Sequence, residues 1–198
     1  MFSGIIKAVG TIEAIASSGS SRRLVISSPI SNGLSVDQSI SHDGICLTIV
    51  EAGNGTHRVD VVAETLSKTS LQFVQTGQVV NLEKSITAST LLDGHIVQGH
   101  VDTILTCTAI MDMDGSWNIK FNLPTEYAGL VIPRGSICLN GVSLTIANLY
   151  DDSFEVAIIP YTFENTNFKY LKVGNKVNVE FDVIGKYLLR QSRLSLIS

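Results

Sequence analysis

The chain has 198 residues, 44% of them hydrophobic and only 16% charged, a composition that excludes an intrinsically disordered protein and is long enough to bury a core. Its net charge of −4 and lack of any basic stripe exclude a polyanion-binding surface, so neither nucleic acid nor an anionic membrane is an expected partner. No apolar run approaches a membrane span, the N-terminus is not that of a signal peptide, and three cysteines without metal-ligand spacing point to a reducing, cytoplasmic compartment.

In chain order, the first predicted strands are Arg23 to Ile26, Leu47 to Val50, Val59 to Val62 and Val79 to Leu82, short and rich in β-branched residues. Asn54-Gly55 predicts a hairpin turn, because both residues tolerate positive φ. Asp112 to Gly115, between Cys107–Ile110 and Trp117–Lys120, predicts a second. Short helices are expected at 64–70, 125–130 and 161–168, and a longer one from about Ile184 to Ile197 with basic residues toward its end.

The chain repeats itself. Ser39 to Ile49 returns as Ser136 to Ile146, 97 residues later, with Asp43-Gly44-Ile45-Cys46-Leu47-Thr48 answered by Asn140-Gly141-Val142-Ser143-Leu144-Thr145. Gly77, Val80, Asn81 and Glu83 recur as Gly174, Val177, Asn178 and Glu180, and Phe2 to Ile6 aligns with Val97 to Val101. About six strands per repeat predict an all-β chain of two homologous six-stranded Greek-key barrels in tandem, plus a C-terminal α-helix. The expected divisions are 1–95, 96–186 and a tail helix at 187–198, starting about 184.

Alternation along the repeated strand sets Cys46 and Thr48 on one face, and Ser143 and Thr145 on the twin face. These small polar groups either line a pocket or merely suit a strand. His100 stands where the first repeat has Ile5, a titratable group replacing an apolar one; it reads either as a proton-transfer residue or as a surface histidine. His95 and His100 lack metal-ligand spacing, and no phosphate loop or nucleophile elbow is present. Phe2 reads as a core anchor or an aromatic lid, Arg22-Arg23 as a solvated edge, and Arg134 as a ligand clasp or a strand start.

The opening Met1 to Ile6, the two Asx-Gly-x-Cys/Ser-Leu-Thr segments and Glu64-Thr65-Leu66 together resemble the riboflavin synthase alpha-chain family. So do Val80 to Lys84, Gly94 to Asp102, Ile159 to Thr162 and Lys176 to Glu180, and the likeness runs to about Tyr187. The resemblance implies a homotrimer joined by C-terminal helices and the dismutation of two 6,7-dimethyl-8-ribityllumazine molecules. One gives a four-carbon unit to the other, yielding riboflavin and 5-amino-6-ribitylaminouracil without metal or cofactor, at a site between the first barrel of one chain and the second of a neighbour. Whether the trimer associates with lumazine synthase is left open.

By position, the resemblance sets Gly4, Ile5, Ile6, Cys46, Leu47, Thr48, Asp60, Val61, Val62, Ala63, Glu64 and Thr65, with Gly99, His100 and Val101, at the first-barrel site. Arg134, Ser143, Leu144, Thr145, Ala157, Ile158, Ile159, Pro160, Tyr161 and Thr162 fall at the second. His100 is implicated in proton transfer, and Ser39, Cys46 and Thr145 in orienting the ring or activating the attacking group; Asp182 matches an acidic position of undefined role. The chain departs from the family pattern at Asp93, at Ser41-His42-Asp43 and at Arg134, where Lys is common. The competing expectation is a non-catalytic carrier resembling lumazine protein, against which Cys46, His100, Ser143 and Thr145 argue.

Overall fold

The computed structural model describes residues 1–195, without the side chain of Ser18. The expected end of the tail helix at Ile197 lies outside the described residues. The first repeat forms strands β1 (Ala8–Ser18), β2 (Ser21–Ser27), β3 (Ser39–His42), β4 (Ile45–Gly53), β5 (Thr56–Val61) and β6 (Val79–Lys84). They close into an antiparallel barrel in the Greek-key order β1-β2-β5-β4-β3-β6. The second repeat reproduces it with β7 (Thr103–Asp112), β8 (Trp117–Asn122), β9 (Ser136–Leu139), β10 (Val142–Leu149), β11 (Ser153–Ile158) and β12 (Lys176–Phe181), in the order β7-β8-β11-β10-β9-β12. Closure removes the free strand edges that would otherwise template aggregation.

Each barrel fills with its own inward-facing residues. Leu24, Ile26, Ile49, Val59 and Leu82 pack the first, and Leu105, Phe121, Leu139, Phe154 and Val179 the second, all fully buried. Asn54 (φ 53°) and Gly55 (φ 76°) make the expected left-handed hairpin turn, as do Asp114 and Gly115 between β7 and β8.

The short helices differ from expectation. The segment at 64–70 divides into α1 (Ala63–Lys68) and a 3-10 turn at Ser70–Phe73; 161–168 divides into α2 (Pro160–Asn165) and a 3-10 turn at Asn167–Tyr170. The break falls on Thr69 and Thr166, both extended near φ −128°. Their hydroxyls bond back to the carbonyls of Thr65 and Thr162, each at 2.7 Å, closing the helix where it would continue. Residues 125–130 are wholly 3-10. The tail helix α3 runs Val183–Ser195. Lys186 on it pairs with the half-buried Asp102 at 2.7 Å, tying it to the second barrel.

The barrels meet on a pseudo-two-fold axis. Phe2 and Val97 exchange backbone hydrogen bonds of 2.7 and 3.1 Å, and both are buried with Cys138, so Phe2 is a core anchor rather than a lid. The turns at Gly44 and Gly141 stand back to back: a Cβ on either would meet the other's amide nitrogen within 2.8 Å. The Asn81 side chain donates to the carbonyl of Asn140, and Asn178 returns the same bond to Asp43, each at 2.9 Å. The Arg22 guanidinium bonds the carbonyls of Leu71 and Gln72, so this expected solvated edge is a structural tie.

Candidate active site

The segments that open each repeat cross onto the other repeat's barrel. Cys46 on β4 donates its N–H to the Gly99 carbonyl (2.9 Å), and Ser143 on β10 donates to that of Gly4 (2.8 Å). Both glycines have left-handed φ, +84° and +77°. A Cβ on Gly99 would lie 2.5 Å from the Cβ of Cys46, and one on Gly4 would lie 2.6 Å from that of Ser143. Each segment also hangs from a buried carboxylate at the end of its own repeat. Glu83 accepts from Ser3 N–H, the Ser3 hydroxyl and Gly4 N–H; Glu180 accepts from the N–H groups of Gln98, Gly99 and His100, at 2.7, 2.8 and 2.9 Å. Burial pushes both carboxyls up, opposed by these same bonds. Gly99→Ala is therefore expected to cost about 1–3 kcal/mol and lower the thermal midpoint by several degrees. An unchanged midpoint in calorimetry would contradict the close approach.

On the first barrel, half-buried Ser39 sits opposite exposed Thr48, and half-buried Cys46 lies beneath Gly99. The His100 ring is exposed, while Val101 packs on this barrel's core. Val62, Ala63 and Glu64 are exposed at the start of α1, with Thr65 half-buried. Leu47 and Val61 face the barrel interior, so only their backbone can reach a ligand. Asp60 is engaged by Arg23 through two 2.7 Å bonds that hold its carboxyl below the usual range.

On the second barrel, Ser143 has a partner that the sequence reading left out of the site: the His95 Nδ1 stands 2.7 Å from its Oγ. His95 is buried, and burial lowers its pKa against the opposing pull of Asp182, which favours a neutral imidazole. A neutral ring at this distance can accept the serine proton. Thr145 is exposed opposite Ser136. Arg134 adopts φ +62° in the turn before β9, as its repeat-mate Asp37 does before β3, with its side chain exposed. Leu144 and Ile158 belong to the core; Ala157, Ile159, Pro160 and Tyr161 are exposed and Thr162 half-buried. Trp117 pairs with Ile158 and stacks on Phe163 with centroids 3.8 Å apart.

One group changes barrels. Of Gly4, Ile5 and Ile6, all expected with the first barrel, Gly4 and Ile6 lie against the second: Gly4 bonds Ser143 and Ile6 packs on the second core. The crossing explains it, since each opening segment packs on the other repeat's barrel. Glu83 and Glu180 were visible only as repeated letters, and their role as backbone clamps required the fold. Among the described residues no group of three or more His, Cys, Asp or Glu is placed to hold a metal ion.

A family model described as the lumazine binding domain matches twice, over residues 3–85 and 98–182. The riboflavin synthase of Bacillus amyloliquefaciens is 39% identical over 96% of this chain and 89% of its own length. That of Photobacterium phosphoreum is 36% identical over 96% and 88%, and that of Mycobacterium bovis 36% over 98% of both. Among solved structures, LumP complexed with riboflavin superposes with a TM-score of 0.86 at 24% identity, covering 91% of this chain and 99% of that one. LumP complexed with 6,7-dimethyl-8-(1'-D-ribityl) lumazine gives 0.83 at 23% over the same shares, a likeness of fold. The chain belongs to the riboflavin synthase family, transferases built on two lumazine-binding domains.

Proposed function

We propose that the protein is a riboflavin synthase that dismutates two 6,7-dimethyl-8-ribityllumazine molecules into riboflavin and 5-amino-6-ribitylaminouracil. The observation that carries the reading is the divergence of two sites on one scaffold. At the first, Cys46 bonds the Gly99 carbonyl and His100 follows Gly99 in the chain; at the second, Ser143 bonds Gly4 and His95, and Ile5 stands in the place of His100. Two copies of one substrate must act differently, one giving four carbons and the other receiving them, and like pockets with unlike side chains suit that division. Holding both rings in register supplies much of the acceleration. The substrate's 7-methyl group is acidic, so a modest base suffices; His100 moves this proton, while Ser39, Cys46 and Thr145 orient the rings or activate the attacking group.

The reactive pair forms across chains of a homotrimer, the first barrel of one against the second of the next. Ile184, Tyr187, Leu188 and Leu194 support this, leaving an apolar stripe on α3 between 46% and 75% exposed. The trimer works in the cytoplasm, alone or docked to lumazine synthase.

The likeness to LumP favours a second reading, a carrier that binds a lumazine without turnover. Incubation of the pure protein with 6,7-dimethyl-8-ribityllumazine alone separates them. Growth of riboflavin absorbance is expected, and a stable fluorescent complex without product would establish the carrier instead.

A further inference from the structure

The barrels leave a cleft of about 670 Å³ along their pseudo-two-fold axis, and it contains none of the residues assigned above to the lumazine sites. Its walls are repeat-mates: Phe73 faces the cleft as Tyr170 does, each 55% exposed, and Gln78 answers Asn175. Asp43 and Asn140 also line it, and here the symmetry breaks.

Asn140 Oδ1 accepts from the N–H of Asn178 at 2.8 Å, and Asp43 Oδ1 accepts the equivalent bond from Asn81 at 2.7 Å. The Asn167 side chain adds a second donor to that same Asp43 oxygen at 2.9 Å. Both bonds thus go to one oxygen, and Oδ2 receives neither, in a residue that lines the cleft and is only 3% exposed. Oδ2 is not among the fully buried polar atoms that lack a partner, so it touches the cleft, where a ligand donor can reach it. Burial pushes this carboxyl up to about 7, against the bonds from Asn81 and Asn167, which lower it. The other charged group on the cleft, Lys176, donates to the Thr106 hydroxyl at 2.6 Å.

The acceptor opens on the cleft, amide side chains line it alongside, and two exposed rings stand on its walls. A matching ligand is flat, presents amino N–H donors along one edge, and has faces that an aromatic ring can cover. The volume lies within the range of small-molecule sites. We propose that this cleft is a second binding site for a planar nitrogen heterocycle bearing exocyclic amino groups, with Asp43 Oδ2 accepting from the amino edge and Phe73 and Tyr170 covering the ring. The proposal stands apart from the lumazine reading, since it uses different residues and a different face of the repeat.

The probe is 2,4-diaminopyrimidine, titrated calorimetrically into the full chain at pH 8. Saturable binding is expected, weakened at least tenfold by Asp43→Asn and comparably by Phe73→Ala. Asp43→Asn keeps the Oδ1 bonds, as Asn140 does at the twin position, but turns the free acceptor into a donor. The far-UV circular dichroism spectrum and the fluorescence maximum of the single tryptophan, Trp117, are expected to be unchanged in both variants, showing that the fold is intact. No saturable binding by the unsubstituted protein overturns the proposal. So does binding that withstands Asp43→Asn, or that falls only with Phe73→Ala.

Discussion

His100→Gln is expected to lower kcat for lumazine dismutation by about a hundredfold, the range ascribed to a positioned general acid or base. Glutamine keeps a hydrogen-bonding side chain of similar reach but cannot take a proton near neutrality, so ligand affinity is expected to change little. The ring is placed by a rigid element: the His100 N–H is the third of three backbone donors on Glu180, and Gly99 is pressed against Cys46. The pseudo-symmetric Ile5 supplies the internal control, because the same backbone there carries no titratable group. Steady-state kinetics with a riboflavin-binding titration make the measurement, and an unchanged kcat would remove His100 from the chemistry. His95→Gln probes the second barrel separately. It removes the partner of the Ser143 hydroxyl, and a changed pH–rate profile, rather than a lower midpoint alone, marks a role in turnover.

The fold was legible because it is written twice. Asx-Gly before β4 and β10, the alternation of Leu47 and Ile49 against Cys46 and Thr48, and the paired Glu83 and Glu180 all recur at one offset. Local chemistry also sufficed for the hairpin at Asn54-Gly55. What stayed illegible depends on the packing of one repeat against the other. The exchange of Gly4 and Ile6 onto the second barrel follows from the crossing at Phe2 and Val97, which no local propensity encodes. The partnership of His95 with Ser143 spans 48 positions and lacks a repeat-mate, so periodicity could not flag it. The helix breaks at Thr69 and Thr166 were open to sequence reasoning, since each threonine stands four residues after the carbonyl it bonds.

The first barrel is expected to be the acid-labile half of the molecule. Where the second barrel buries Leu139 and Phe154, the first buries His42 and His57 at the same repeat positions, each 1% exposed. Their Nε2 atoms lie 2.9 Å apart, and His57 Nδ1 continues through Ser31 to Ser28 at 2.8 and 2.9 Å. The His42 Nδ1 and the adjacent Ser41 hydroxyl have no partner. The cross-strand neighbours are apolar: Ile45 and Leu82 beside His42, Ile26 and Ala52 beside His57. Among the described residues no carboxylate bonds either ring, and burial lowers His42 to about 3 and His57 to about 4, His42 further opposed by the charge of His57. Depressed histidines favour the neutral native state. Their contribution is complete above the unfolded value near 6.5 and is lost as pH falls through about 4 to about 3. For the pair this loss is on the order of 5 kcal/mol, a large share of a typical domain's stability. The buried acids Asp43, Glu83 and Glu180 act in the opposite sense, because burial raises their pKa values. The decisive quantity is therefore the difference between the natural chain and His42→Leu/His57→Phe, which copies the second barrel's residues. Between pH 7 and 4 the natural chain should lose stability more steeply than the double variant, with hydrogen exchange accelerating in β3 and β5 before β9 and β11. Parallel stability curves for the two proteins would show that the buried imidazoles carry no such liability.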